Sequence, residues 1–263
     1  MALVPKGYMN AVVSIGVDNG SGIRWIGTGF FVIRRINGQT KGRPYLVSNK
    51  HVFDACERVI VRMKEKDTET LKEIPAPLIN EEGKPKYICH ASADVAVLPL
   101  HAKFIESNNL EFPCFDIDAD AMTSKELLVN GVDEGSIIYM LGFPMGLVNK
   151  ASLLPICRMG CVARLCEQQI ATDGNILVDI QNFPGNSGSP IITKPEVISL
   201  EGTKSLPKSV LVGVVHSYIP YTENLVNSQT NKIVEVRSEN SGIANVHPVE
   251  YIRELIDQIQ PRK

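Results

Sequence analysis

Short apolar runs separated by polar turns follow one another along most of the chain. The runs are rich in β-branched and aromatic residues, and most are bounded by Gly, Asn, Asp or Pro, which predicts strands joined by turns. The segments Asp18–Gly22 and Asn37–Gly38 are typical hairpin turns. The predicted strands are residues 11–17, 24–33, 44–49, 57–64, 87–90, 93–100, 136–144, 158–166, 175–180, 191–192, 210–215 and 242–246.

Three longer polar segments interrupt this pattern and are expected at the surface. They are a charged excursion at 65–86, an insert at 194–208, and an excursion at 219–238 with a hairpin arm at 232–237.

Helical signals are confined to two places. A short helix is expected over Thr123–Val129. The second lies at 247–260, where apolar residues recur at helical spacing and Pro248 suits the first turn. Those apolar positions are Val249, Ile252, Leu255, Ile256 and Ile259.

Many short strands, frequent turns and one terminal helix predict an all-β barrel or sandwich. No internal repeat and no Pro/Ser-rich linker divides the sequence. A chain of 263 residues fits one large domain or two small ones, and its apolar fraction of 44% is enough for a sizeable core.

The charge pattern narrows the classes of partner. The formal net charge is −2, which gives no electrostatic argument for binding nucleic acid or an anionic membrane. No apolar run approaches the roughly 18 residues that span a bilayer. The segment Met1–Lys6 lacks the apolar core of a signal peptide, so a chain that begins here is expected to stay in the cytoplasm.

Six cysteines are present, and in a reducing compartment they are expected to be free thiols, most of them buried. The spacing of Cys157, Cys161 and Cys166 fits no common zinc pattern. The three aspartates at 116, 118 and 120 favour a solvated loop over a calcium site. No metal and no cofactor is therefore expected.

One polar stretch carries a nucleophile in an unusual setting. Residues Asn182–Pro190 read Asn-Phe-Pro-Gly-Asn-Ser-Gly-Ser-Pro. Gly185 and Gly188 permit positive φ, so the chain can turn sharply around Ser187. In such a loop the N–H groups of Gly185 and Ser187 can converge on a developing oxyanion. An ordinary Gly/Asn/Ser/Pro turn is the alternative reading of the loop alone.

Two upstream residues supply what a serine nucleophile needs. His51 follows the strand 44–49 directly, and Asp94 opens a strongly apolar strand. A histidine can take the serine proton, and an acid fixes its tautomer and stabilises the imidazolium. An acid beside a buried run is costly unless it is paired, which gives Asp94 a reason to meet His51.

The order His51, Asp94, Ser187 is that of the chymotrypsin topology, whereas α/β-hydrolases run Ser, Asp, His through alternating strands and helices. The sequence resembles the trypsin-like serine peptidases of the chymotrypsin fold, and is most similar to the bacterial HtrA (Deg) and glutamyl-endopeptidase-like groups. The segments that carry the resemblance are Gly27–Val32, Leu46–Val52, Ala93–Leu98, Pro184–Pro190, Val212–His216 and Gly242–Pro248.

The resemblance implies an all-β fold of two antiparallel six-stranded barrels with a C-terminal helix. The expected division is an N-terminal barrel at about 8–115, a C-terminal barrel at about 125–247 and a helix at 248–260, in a single peptidase unit spanning 1–263. It also implies catalysis by His51, Asp94 and Ser187, with an oxyanion hole at Gly185, Asn186 and Ser187, acting on a polypeptide substrate.

Substrate selection is less clearly indicated. By the resemblance, Gln181 lies at the base of the specificity pocket, and Val215, His216, Ser217 and Asn245 lie along its walls. Glutamyl endopeptidases bind the substrate acid with a histidine one position earlier, where this chain has Val215. Since a slip of one residue turns a strand side chain to the other face, His216 faces either the pocket or Asp94.

Three hypotheses for the function of the chain remain open. The first is an endopeptidase that works through an acyl-enzyme. The second is a protease-fold module that binds an extended peptide with little turnover. The third is a peptidase that a regulatory protein partner activates by ordering loops 142–160 and 219–240. Asn186 motivates the third, because secreted trypsins have an aspartate there that pairs with a new N-terminus.

Overall fold

Two β-sheets, one in each half of the chain, organise the computed structural model, which describes residues 4–36, 42–196 and 204–260. The predicted turn at Asn37–Gly38 lies outside the described residues. The strands of the first sheet are β1 (Val12–Asp18), β2 (Ile23–Arg35), β3 (Gly42–Ser48), β4 (Arg58–Lys64), β5 (Leu71–Pro77), β6 (Ile88–Cys89), β7 (Ala96–Pro99) and β8 (Phe115–Asp116).

The first sheet has the order β5-β4-β1-β2-β3-β7-β6, and β8 adds to β2 in parallel. It has eight strands, not the six that were predicted, and no strand pairing in the described part of the chain joins β5 to β6. The extra strand β5 falls in the stretch that was expected to be a surface excursion. Pro75 and Pro77 made this segment look unlike a strand, because proline has no N–H to donate within a sheet. Both are tolerated because β5 is an edge strand.

The second sheet is a closed barrel of six strands in the order β10-β11-β14-β13-β12-β9. Its closure and its strand number agree with the prediction. The strands are β9 (Ile137–Gly142), β10 (Ile156–Arg164), β11 (Ile176–Asp179), β12 (Pro190–Thr193), β13 (Leu211–Val226) and β14 (Ile233–Pro248). A mostly β chain of two β units is thereby confirmed, while the domain boundaries stay a prediction.

Strands β13 and β14 are much longer than predicted. Beyond the barrel they continue to pair as a two-stranded ribbon, from Pro220 opposite Asn240 to Val226 opposite Ile233. The polar composition of this segment had indicated a loop with a short arm. Polar residues are compatible with the strands because the ribbon is largely exposed on both faces.

Six short α-helices connect or flank the strands in the described part of the chain. They are α1 (Lys6–Asn10), α2 (Lys50–Asp54), α3 (Ala102–Ser107), α4 (Ser124–Val129), α5 (Glu167–Asp173) and α6 (Val249–Ile259). The predicted helices α4 and α6 are confirmed, and Thr123 caps α4 with a reciprocal bond to Glu126. Helices α1, α2, α3 and α5 were not predicted, because helices of five to seven residues are too short to show a periodic pattern.

An apolar cluster joins the two sheets and so fixes the cleft between them. Phe30 and Val97 enter it from the first sheet, and Leu141 and Leu211 enter it from the barrel. Helix α6 covers the cluster with Val249, Ile252, Leu255 and Ile256, all fully buried. The predicted apolar face of this helix is therefore its packing face.

The cysteines and the aspartate patch have structural surroundings. All six cysteines are unpaired, as predicted, but none is fully buried, contrary to expectation. Asp116 accepts a bond from Arg35 at 2.5 Å and two from the main chain of its own loop. Within the described ranges, no three Cys, His, Asp or Glu side chains are grouped to hold a metal, and no helix is long and apolar enough to cross a membrane.

Candidate active site

His51 and Asp94 are brought together at the edge of the first sheet. Strand β3 ends at Ser48, and helix α2 then presents His51 to solvent. Its ring Nδ1 lies 2.5 Å from Asp94 Oδ2, and its main-chain N–H donates to Asp94 Oδ1 at 3.0 Å. The carboxylate therefore fixes both the ring and the backbone of His51.

Asp94 lies two residues before β7 and is held at each of its polar groups. Asn49 Nδ2 donates to its carbonyl at 2.7 Å, and its own N–H donates to His247 Nε2 at 3.0 Å. Burial alone would raise the pKa of Asp94, but the hydrogen bonds from His51 outweigh burial and lower that pKa below its usual value. Asp94 is thus ionised at neutral pH, facing the imidazole.

The serine loop consists of two successive turns. Asn186 N–H donates to Phe183 O at 3.0 Å across the first turn, and Ser189 N–H donates to Asn186 O at 2.8 Å across the second. Gly185 (φ 95°) and Gly188 (φ 86°) occupy the third position of each turn, where type II geometry requires positive φ. The sequence-based expectation for the two glycines is confirmed.

These turns orient the peptide planes on either side of Ser187. Pro184 O accepts from Met145 N–H at 2.5 Å, so the Gly185 N–H across that trans peptide points the opposite way. Asn186 O accepts the hydrogen bond from Ser189 N–H, so the Ser187 N–H across the next peptide points away from that bond. In the described part of the chain, neither N–H has a hydrogen-bond partner.

The serine loop is clamped between the two sheets. Ser187 O accepts from Thr28 N–H of β2 at 2.9 Å, and Gly188 N–H donates to Val215 O of β13 at 3.0 Å. Thr28 Oγ1 also donates to Gly185 O at 2.7 Å. A shift of one sheet against the other would therefore move the loop.

Gly27 shows where the loop and helix α2 meet. A Cβ built on Gly27 would lie 3.0 Å from the Val52 side chain and 3.3 Å from Ser187 O. Since Val52 adjoins His51, the helix of the base and the loop of the nucleophile pack against the same point of β2. Ser187 Oγ and His51 Nε2 themselves have no hydrogen-bond partner among the described residues.

Asn186 was predicted as part of the oxyanion hole, but its own N–H is bonded to Phe183 O and is not available to an oxyanion. Its side chain is 1% exposed and packs below the loop, where a Cβ on Gly142 would lie 2.8 Å from its Oδ1. Neither Oδ1 nor Nδ2 has a hydrogen-bond partner among the described atoms. Asn186 therefore lies beneath the turn, while the two free N–H groups belong to its neighbours.

The five residues predicted to bind substrate fall into two sets. The first set is partly or fully exposed: Gln181 lies near Gly242, and Asn245 Nδ2 donates to Ser217 Oγ at 3.0 Å between β14 and β13. Val215 is fully buried in the barrel core and cannot line an open pocket with its side chain.

His216 also differs from the pocket assignment. It occupies a bulge in β13, between the pairs Val215–Val246 and Ser217–Asn245. This bulge turns the ring toward the Asp94 side, where it stacks on His247 with centroids 3.9 Å apart and planes 6° apart. Of the two orientations that the sequence left open, the structure has the one away from the pocket.

Three neighbours of the site were not predicted. His247 accepts the Asp94 N–H, Asn175 Oδ1 lies 2.9 Å from His216 Nε2, and Asp179 lies beside Gln181 near Gly242. Two of them had a weak signal in the sequence. Asp179 precedes Gln181 by two residues, which places both on one face of a strand, and His247 ends the strand before α6.

Burial of the stacked histidines predicts acid-sensitive stability. Burial, and secondarily the neighbouring His247, lowers the pKa of His216 to about 3, and burial also lowers the pKa of His247. In the unfolded chain both histidines bind protons below about pH 6.5, whereas in the folded chain they bind protons only at lower pH. The free energy of unfolding should therefore fall by about 1.4 kcal/mol per pH unit on account of His216 as the pH drops from 6 to 4.5, and His247 acts in the same direction.

Urea unfolding of wild type, His216→Phe and the control His101→Phe at several pH values checks this. His216→Phe should show a slope smaller by about one histidine's share. His101 is an exposed histidine outside the stack, so His101→Phe is the control. Equal slopes in all three proteins would contradict a lowered pKa of His216 in the folded chain.

Gly188 offers a test of the clamp. A Cβ there would lie 2.0 Å from Thr28 O and 2.4 Å from Ser48 Oγ, so Gly188→Ala must push the loop off β2. We expect a loss of about 3 kcal/mol in unfolding free energy, the upper part of the range for overpacking. Gly20 has a similar φ (82°) but open space around it, so Gly20→Ala is a matched control.

Gly20→Ala should cost only the backbone strain, about 1 kcal/mol. Chemical denaturation of both variants measures the difference. If the two substitutions cost the same, the close approach of Gly188 to Thr28 is not present in solution.

Two cavities of the described structure lie away from the proposed nucleophile. One of about 410 Å³ is lined by Ile33, Ile105 and Phe112, and one of about 310 Å³ is lined by Tyr45, His101 and Ile259. Both lie beside helix α3, away from Ser187.

The comparison with protein families agrees with the residue pattern. The model of the trypsin-like peptidase domain family matches residues 27–197. No curated protein matches the chain. Among solved structures, the MamO protease domain from Magnetospirillum magneticum, in its apo form, is similar over 94% of this chain and 96% of that chain, at 15% identity and a TM-score of 0.46. The resemblance to the HtrA group stays a prediction.

Proposed function

The chain belongs to the trypsin-like peptidase domain family, and we propose that it is a serine endopeptidase. It hydrolyses peptide bonds through an acyl-enzyme, with a polypeptide as substrate. Ser187 is the nucleophile, His51 is the general base and then the general acid, and Asp94 orients His51. Gly185 and Ser187 provide the oxyanion hole through their N–H groups.

The observation that carries this proposal is the orientation of the peptide planes around Ser187. The carbonyls of Pro184 and Asn186 are bound to Met145 and Ser189, which leaves the Gly185 and Ser187 N–H groups without partners. Paired N–H groups beside a nucleophile suit an oxygen that becomes negative as a tetrahedral intermediate forms. Two successive type II turns leave these N–H groups unpaired by their own geometry, and their position on both sides of Ser187 is what suits them to an oxyanion.

The first half of the reaction follows from these positions. Ser187 Oγ forms a bond to the substrate carbonyl carbon while its proton passes to His51 Nε2. The carbonyl oxygen takes the electron pair and accepts hydrogen bonds from the two free N–H groups. His51, now an imidazolium facing ionised Asp94, returns the proton to the leaving amine as the C–N bond breaks.

The second half uses water in place of the amine. His51 takes a proton from water as its oxygen attacks the ester of Ser187. The tetrahedral intermediate collapses, Ser187 Oγ recovers the proton from His51, and the new carboxylate leaves. These steps require proton transfer and electrostatic stabilisation by the chain's own groups.

Substrate selection is proposed to lie with Gln181, Ser217 and Asn245. Ser217 and Asn245 are joined by a hydrogen bond between β13 and β14, and Gln181 lies between β11 and the serine loop. The histidine that was a candidate for binding a substrate acid, His216, is engaged with Asn175 and His247 instead. We therefore do not expect the histidine-dependent selection of acidic residues known from glutamyl endopeptidases.

A peptide library incubated with the purified chain tests the proposal. Cleavage products that appear with wild type and are absent with Ser187→Ala support it. Products formed equally by both proteins would overturn it.

A second candidate is the same peptidase under control of a regulatory protein. Ser187 Oγ and His51 Nε2 lack a mutual hydrogen bond, and the buried Asn186 amide is unpaired. Arg62 donates to Asn149 O at 2.6 Å and to Lys150 O at 2.7 Å, and so ties the loop after β9 to the first sheet. The same loop supplies Met145, which binds Pro184 O, so a partner that moves it would change the oxyanion hole.

Constitutive cleavage of a broad library by the isolated chain would exclude the regulated form. Specific binding of extended peptides without any cleavage would instead favour the protease-fold binding module.

A further inference from the structure

Four of the chain's five histidines surround the short segment that presents Asp94. His51 faces the carboxylate, as described above. His90 Nδ1 accepts the Ala93 N–H at 3.1 Å, and His247 Nε2 accepts the Asp94 N–H at 3.0 Å. The main chain of this segment is therefore held by imidazole nitrogens where a carbonyl oxygen would be the ordinary acceptor.

The tautomer of His247 is set by a second contact. Its Nδ1 lies 3.0 Å from Gly174 O, and since a carbonyl can only accept, Nδ1 carries the proton. Nε2 is then left with a lone pair aimed at Asp94. The ring is 5% exposed, so solvent does not compete for that lone pair.

The ring plane of His247 is fixed from two sides. His216 stacks on one face, and its own Nε2 is bonded to Asn175 Oδ1. Tyr251 of helix α6 meets the ring at 68°, with centroids 5.7 Å apart. The same tyrosine packs on His90, whose Nε2 is bonded to Glu254 of that helix.

We propose that His247, supported by His216, is a positioning residue that fixes Asp94 for its interaction with His51. The inference rests on the proposed function for its catalytic consequence, but the hydrogen bond it invokes exists independently of turnover. His247 touches neither the nucleophile nor the proposed substrate path. It acts through the main chain of Asp94.

The arrangement works only while Nε2 of His247 is unprotonated. A protonated ring would point an N–H at the Asp94 N–H and push the segment away. The titratable groups that face this pair are Asp94, His51, His90, Tyr251 and Glu254, and two imidazolium rings stacked at 3.9 Å would repel each other. The neutral state of the pair is thus built into its surroundings.

Three variants separate positioning from general stability. His247→Phe keeps a ring for the stack and removes the acceptor, whereas His247→Gln offers an amide oxygen as a substitute acceptor. His101→Phe removes the fifth histidine, an exposed residue at the start of α3, and is the control.

Kinetics give the first measurement. His247→Phe should lower kcat by on the order of 10²-fold with KM little changed, the effect of a small misplacement of a catalytic group. His247→Gln should recover most of the loss, and His101→Phe should match wild type. Full activity in His247→Phe, or equal losses in the Phe and Gln variants, would overturn the proposal.

Nuclear magnetic resonance gives a measurement that needs no turnover. In wild type, a scalar coupling across the hydrogen bond should connect the Asp94 amide nitrogen to His247 Nε2. The low-field proton of His51 Nδ1 should shift or broaden in His247→Phe and persist in His101→Phe. Absence of the coupling overturns the proposal even if peptidase activity is found, and its presence in a chain without activity contradicts only the proposed function.

Discussion

Ser187→Ala should lower kcat/KM for any peptide that the chain cleaves by on the order of 10⁶-fold, the loss known for a serine nucleophile of this kind. The alanine removes the atom that forms the acyl-enzyme, and the hydroxyl of Ser189 in the same turn is fully buried and cannot take its place. The double variant with His51→Ala should be no worse than either single variant, because the two residues act as a unit. Initial rates with a cleaved peptide measure all three proteins.

The folded state provides the control for this prediction. Ser187 Oγ has no hydrogen-bond partner in the described part of the chain, so its loss should change the unfolding free energy by no more than about 0.5 kcal/mol. A stable Ser187→Ala protein that retains a hundredth of wild-type activity or more would place the nucleophile elsewhere.

Asp94→Asn is expected to have the second-largest effect, a loss of about 10⁴-fold in kcat. The carboxylate accepts from both the ring and the main-chain N–H of His51. An asparagine can instead donate from its amide to Nδ1, which would leave the proton on Nε2 and prevent His51 from acting as a base. The structure should otherwise survive, since the two side chains have nearly the same shape.

Asp54→Asn is the matched control. Asp54 lies on the same helix as His51 and accepts a bond from the Tyr87 hydroxyl at 2.6 Å, but it makes no hydrogen bond to His51. Its replacement should leave kcat within a few-fold of wild type. Comparable losses in the two variants would mean that the effect of Asp94 is one of local charge and not of orienting His51.

Most strands could be predicted because their residues are buried on at least one face. Strand β7 and the barrel strands β9 and β12 are continuous apolar runs, and their pattern leaves little choice. Strand β5 and the ribbon of β13 and β14 could not be predicted in the same way. Their pairing comes from a neighbouring strand, and a largely exposed strand has no apolar alternation to reveal it.

The candidate catalytic residues were accessible from the sequence for a different reason. The glycines around Ser187 are required by backbone geometry, with φ of 95° at Gly185 and 86° at Gly188, and such requirements act on single positions. His51 closely follows one apolar strand, and Asp94 closely precedes another. The strand ends therefore determine where both side chains emerge.

The surroundings of these residues depend on registers that no local pattern specifies. A single bulge in β13 decides that His216 faces Asp94 and not the pocket. His216 on β13 stacks on His247 of the adjacent strand β14. Tyr251 contacts the same ring from helix α6, which follows β14. Only the assembled barrel brings these rings together behind Asp94.

The most direct test of the proposed nucleophile is reaction of the purified chain with a fluorophosphonate probe, read by intact mass and peptide mapping. We expect one phosphonyl adduct, located on Ser187, that is lost in Ser187→Ala and forms much more slowly in His51→Ala. An adduct on another residue, or labelling of Ser187 at the same rate without His51, would contradict the claim that these two residues form an activated nucleophile.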